Sequence, residues 1–149
     1  MKPQQASERR FTRESEIWEI VEGFRNRKLA KHEWGHSAHL VVALVYCRHF
    51  PIASVLRFLR DEIRVLNDAH GVANTSKGGY HETLTVFWIG HVSRFVLESS
   101  DTEPLVGLAN RLLDECGDPS LPLKFYTKEI LFSAAARKRY VRPDLNTNI

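Results

Sequence analysis

The stretch His36-Ser37-Ala38-His39-Leu40-Val41-Val42-Ala43-Leu44-Val45-Tyr46-Cys47-Arg48-His49 decides the fold. From Leu40 to Val45 it is apolar nearly all round, which suits a helix enclosed by others and not one lying on a surface. Pro51 stops it.

Helical periodicity continues on both sides of this segment. Upstream, Ile17, Ile20, Val21 and Phe24 fall at i, i+3, i+4 and i+7, predicting a first helix that ends near Arg27, with Thr12 or Ser15 as its cap. Downstream, Pro51 suits the first turn of a third helix, whose stripe is Val55, Leu56, Leu59, Ile63 and Leu66 and whose end is Gly71. Residues Val72 to Gly79 are turn-rich and read as a loop. A fourth helix is expected from Tyr80 to Leu97, burying Leu84, Phe87, Trp88, His91 and Phe95. A fifth runs from about Glu103 to Cys116, capped by Asp101 or Thr102 and closed by Gly117.

Beyond Gly117 the prolines 119 and 122 interrupt the pattern, so Leu121, Leu123 and Phe125 read as an extended segment packed on the bundle. Short helices are expected near 128–132 and 134–140. No Asn-Gly or Asp-Gly hairpin signal separates alternating segments. The fold class is therefore all-α, a single-domain helical bundle of about five main helices plus short C-terminal helices, with 1–11 and 143–149 flexible or draped on the surface.

Composition agrees with one domain: 149 residues, 43% of them hydrophobic, provide for one sizeable core. The 21 Lys and Arg against 18 Asp and Glu are nearly balanced, and the densest basic run, Arg137-Lys138-Arg139 with Arg142, is short for a nucleic-acid tract. No nucleic-acid partner is expected. No apolar run approaches the roughly 18 residues of a membrane span, and the first ten residues hold no apolar leader core, so a soluble, cytoplasmic protein with no membrane contact is expected. Cys47 and Cys116 sit singly in apolar helical patterns and read as buried and reduced.

The chemistry lies in the histidines. His36 and His39 are spaced i, i+3 on one helical face, with Glu33 just before them, and Tyr80-His81-Glu82 opens the fourth helix after the Gly78-Gly79 pair. Short links make neighbouring helices antiparallel, so helices two and four run the same way and their first turns meet, together with the end of helix three at His70. His49 closes helix two at the far end, and His91 lies about 15 Å up helix four, so both are excluded. His32 reads as surface.

His36, His39 and His81 are therefore the expected ligands of one divalent metal, with zinc, iron or nickel as candidates. Helix N-termini favour the neutral imidazole that ligation needs. Glu33 and Glu82 are placed as a fourth ligand, a hydrogen-bonding support or the general base in catalysis. Tyr80, Tyr126 and Arg137 are the expected substrate-binding residues, on the argument that burial of Leu121, Leu123 and Phe125 pins the C-terminal segment beside the site. The expected activity is metal-dependent hydrolase, lyase or oxygenase chemistry on a small-molecule substrate. Two alternatives stand beside this. His36 and Glu82 can be capping residues, with His39 and His81 bonded to backbone carbonyls, in a non-enzymatic binding module or in a homo-oligomer formed through an apolar helix face. For Arg137, the other reading is a surface pair with Asp144.

No P-loop, dinucleotide fingerprint or G-x-S-x-G element is present. A carboxylate-bridged di-iron bundle needs two Glu-x-x-His motifs, and only Glu33-x-x-His36 occurs.

The run Trp34-Gly35-His36-Ser37-Ala38-His39-Leu40, the segment Gly79-Tyr80-His81-Glu82-Thr83-Leu84-Thr85, and Ser133 to Arg137 followed by Pro143-Asp144-Leu145 together resemble an uncharacterised bacterial family of small helical proteins. The likeness covers about residues 30–145. It implies an all-helical fold and the grouping of these residues, and it implies no activity. That family has Thr or Asn at the position of Gly35, so here the second helix is entered without that cap.

Overall fold

The structure, a computed structural model, describes residues 10–146. The main helices are α1 (Glu14–Arg25), α2 (His36–His49), α3 (Ile52–Ala69), α4 (Glu82–Leu97) and α5 (Leu105–Cys116). Two short helices follow, α6 (Lys128–Leu131) and α7 (Ala134–Lys138), and 3-10 turns occupy Lys31–Glu33 and Leu121–Lys124. No strand occurs among the described residues, and the all-α bundle stands. Among the same residues, no helix is long and apolar enough to cross a membrane.

α2 is the axis of the bundle. Ala38 and every residue from Leu40 to Tyr46 is buried, because α1, α3, α4 and α5 all pack against it and leave no side facing water. Leu44 is fully enclosed, and truncating such a leucine to alanine costs about 2–5 kcal/mol. α3 and α5 bury a single stripe each, Val55, Leu59 and Leu66 on α3 and Leu105, Leu108, Leu112 and Leu113 on α5.

Several boundaries differ from expectation for local reasons. α1 is capped neither by Thr12 nor by Ser15. Arg13 holds the cap position, and the Glu16 carboxylate reaches back to accept the amides of Thr12 and Arg13 at 2.8 and 2.9 Å. Pro51 and Pro104 occupy the cap positions of α3 and α5, so α5 starts after the expected Asp101 or Thr102. Residues 121–124 form a 3-10 turn and not an extended segment, because Pro122 fits a helical first turn and the amides of Leu123 and Phe125 bond three residues back.

The ends that the structure describes are tied down. Phe11 is only 4% exposed, and its amide and carbonyl pair with the Asn110 side chain at 2.9 and 3.0 Å. The segment from Pro143 is held by Asp144, which accepts from the Thr127 amide and hydroxyl, and by the Leu145 amide bonded to the Phe125 carbonyl at 2.9 Å. Phe11 is thus buried, while 143–146 lie draped along the surface, and 1–9 and 147–149 lie outside the described residues. The C-terminal segment builds a second small core of Phe87, Tyr126 and Leu131 against α4.

Candidate functional site

The first halves of α2 and α4 and the second half of α3 meet at one end of the bundle around a cavity of about 540 Å³. Trp34, His36, His39, Leu40 and Ala43 form one wall, and Leu59, Ile63 and Asn67 a second. Tyr80, His81, Leu84, Thr85, Trp88 and Ile89 form a third, with Val72 and Gly79 of the loop at the rim. This is the up-down-up arrangement: α3 runs back along α2, so its late residues face the early residues of both neighbours.

Each histidine is anchored to a backbone carbonyl, and the anchor decides the tautomer. His36 Nε2 donates to the Cys116 carbonyl at 3.0 Å, and the ring stands edge-on to Trp88 with centroids 4.6 Å apart. A carbonyl only accepts, so the proton is on Nε2 and Nδ1 keeps its lone pair. Burial draws the His36 pKa down, outweighing the Cys116 carbonyl. His39 Nδ1 donates to the Gly35 carbonyl at 2.8 Å, leaving the lone pair on Nε2. Its ring lies stacked on Trp34, and loss of solvent brings its pKa down to about 4, against the smaller opposing pull of Gly35. Neither open nitrogen has a hydrogen-bond partner among the described residues.

His81 behaves differently. It is the cap residue of α4: Nδ1 accepts the Leu84 amide at 3.1 Å, and Nε2 donates to the Leu131 carbonyl at 2.8 Å. Both ring nitrogens are therefore engaged, and His81 has no lone pair to offer an ion. His70 likewise donates Nε2 to the Leu29 carbonyl at 2.7 Å. The three histidines share a cavity, but only two of them present open nitrogens. Among the described residues, no group of three or more His, Cys, Asp or Glu side chains is placed to hold a metal.

The acidic residues are also occupied. Glu82 is gripped by Arg60 through Nε at 3.0 Å and Nη2 at 2.7 Å, and accepts the Tyr80 hydroxyl at 2.6 Å. Burial raises its pKa, but the Arg60 and Tyr80 bonds outweigh burial and hold the carboxyl below the usual range. Glu33 is exposed and accepts the Ala30 amide at 2.8 Å, which fastens the turn before α2. Neither carboxylate lines the cavity.

Of the expected substrate residues, only Tyr80 lines the wall. Burial first, and then Glu82, push its hydroxyl pKa up to about 12, and the Arg64 guanidinium covers its ring at 4.4 Å. Tyr126 is fully buried in the second core and donates to the Val141 carbonyl at 2.6 Å. Arg137 pairs neither with Asp144 nor with the cavity. Its Nη1 donates to the Gly79 carbonyl at 2.9 Å, so it secures the rim from behind. Neither Tyr126 nor Arg137 lines the cavity.

Two wall residues escaped the sequence reading. Asn67 continues the row of Leu59 and Ile63 at four-residue spacing, and a polar residue in an apolar row was the available signal. Its Nδ2 donates to Asn74 Oδ1, which also accepts the Tyr80 amide, both at 2.9 Å. Thr85 returns its hydroxyl to the His81 carbonyl at 2.8 Å, a bond that only the helix start creates. No protein-family model, curated protein or solved structure matches the chain at a significant level.

Proposed function

We propose that this protein binds a small molecule in the cavity at the histidine end of the bundle. The observation that carries the reading is the cavity itself, about 540 Å³, walled by two tryptophans and aliphatic side chains with a few set polar groups. Small-molecule sites have this size and this makeup. Free Cys47 and Cys116, both buried enough to hold their thiols protonated, suit action in a reducing compartment such as the cytoplasm.

Binding is favoured over proton-transfer chemistry because an imidazole whose pKa is brought to about 4 is a weak base near neutral pH. The test is a fragment screen followed by NMR on the indole N–H signals of Trp34 and Trp88. Hits that move both, and that are lost when Leu84→Trp fills the cavity, support the reading. Hits that move only Trp18, or none from several hundred fragments, would reject it.

A metal-dependent enzyme is the second reading, kept by one observation: His36 Nδ1 and His39 Nε2, one turn apart, both hold open lone pairs. Catalytic zinc takes three protein ligands, so this reading needs one more donor from a substrate or from outside the described residues. Zinc binding at micromolar affinity, abolished in His36→Ala and His39→Ala but kept in His81→Ala, would establish it.

A further inference from the structure

The cavity wall carries no formal charge. Among the described residues that line it, there is no Lys, Arg, Asp or Glu, although 26% of the chain is charged. Charged groups stand directly behind the wall, where Arg60 neutralises Glu82 and Arg64 lies over Tyr80. An ion entering the cavity would lose part of its hydration and meet no counter-charge on the wall, a cost that disfavours anions and cations alike.

The open polar side-chain atoms on the wall are of both kinds: the indole N–H groups of Trp34 and Trp88 and one N–H of Asn67 are donors, while the histidines offer acceptors. His36 and His39 have each given their only N–H to a carbonyl, and Thr85 has given its hydroxyl proton to another. What the two histidines leave are two imidazole lone pairs, whereas the Thr85 hydroxyl is also engaged with the Tyr80 side chain. A ligand that brings only acceptors would leave them unsatisfied in a low-polarity space, whereas one that brings N–H or O–H groups pairs with them. Trp88 supplies apolar surface for an aromatic body, while the faces of Trp34 are taken by Phe24 and His39 and it offers the cavity its edge.

We infer that the cavity selects uncharged, flat aromatic ligands that donate N–H or O–H hydrogen bonds to the open nitrogens of His36 and His39. This rests on the cavity being a ligand site, and it narrows the chemical class that such a site takes. The competing feature is the first turn of α2, which lacks a side-chain cap and would attract an anion.

The experiment titrates the full chain with three probes of matched shape: indole, 1-methylindole and indole-3-carboxylate. Tryptophan side-chain and histidine side-chain ¹⁵N signals are followed by NMR. Indole is expected to bind about tenfold more tightly than 1-methylindole, the scale of one hydrogen bond to a buried acceptor. It should also move the open-nitrogen signal of His39 or His36. In His39→Phe or His36→Phe, the preference should drop at least severalfold at the residue that accepts. Equal binding of indole and 1-methylindole overturns the donor rule while leaving the cavity as a ligand site. Tighter binding of the carboxylate overturns it in favour of the helix end. If no probe moves Trp34 or Trp88, both this inference and the ligand site fall.

Discussion

His39 lies face to face with Trp34, ring centroids 3.7 Å apart and planes 28° from parallel, while its Nδ1 donates to the Gly35 carbonyl one turn earlier. Phe24 stacks on the same indole at 4.9 Å. The chain Phe24, Trp34, His39 thus ties α1 to the cavity wall and covers one face of the half-buried imidazole. His39 is thereby held as a neutral, oriented ring with Nε2 open.

Trp34→Ala should release that ring. The loss of stacking area is expected to destabilise the fold by about 2–4 kcal/mol. The His39 pKa should climb from about 4 toward the ordinary histidine range, because desolvation is its main cause. Trp34→Phe should keep most of both properties. An NMR titration of the His39 ring in the two variants measures this, and an unchanged pKa in Trp34→Ala would contradict it.

Stability should fall as the solution is acidified. His36, His39, His81 and His91 all have native pKa values below that of a free histidine, so between about pH 6.5 and 4 the unfolded chain binds protons that the native chain refuses. Their contribution is full above the unfolded value and is lost as pH drops through this window. His39 alone accounts for up to about 3 kcal/mol. Urea unfolding at pH 7.5, 6 and 5 should show a falling midpoint, and His39→Phe should flatten the decline. A pH-independent midpoint would count against desolvation of these imidazoles.

His81→Ala should unfold the protein more readily without touching ligand affinity greatly. It removes the cap of α4 and leaves the Leu131 carbonyl unpaired, together about 2–3 kcal/mol. His81→Asn should recover the cap share, since asparagine is a good N-cap. Equal thermal midpoints for the Ala and Asn variants would show that the ring acts in some other way.

The rim should be intolerant at Gly79. Its φ is +79°, and an added Cβ would lie 2.4 Å from the Ala73 carbonyl oxygen and 2.8 Å from Asn74 Cα, both backbone atoms that cannot step aside cheaply. Gly79→Ala is expected to cost about 2 kcal/mol or more and to raise amide exchange across residues 72–80. Arg137→Ala should raise exchange in the same loop to a smaller degree by freeing the Gly79 carbonyl, and Lys138→Ala should not. Equal effects of the two would return Arg137 to a surface role.

The sequence by itself determined the class of fold and the meeting of the histidines. A helix apolar all round, as at Leu40 to Val45, must be enclosed by others, and short links force α3 to reverse between α2 and α4. That is enough to bring His36, His39 and Tyr80-His81 to one end. It could not determine what each side chain does there. The partners of the rings are the carbonyls of Gly35, Cys116 and Leu131, and two of these lie 80 and 50 residues away along the chain. Backbone acceptors carry no residue signature, so the sequence offered carbonyl-bonded His39 and His81 only as an alternative to the metal reading and could not choose between them. Arg60 on Glu82 and Arg137 on Gly79 are likewise long-range choices. Only packing decides which of several nearby cations reaches a given acceptor, and packing is set by the tertiary structure.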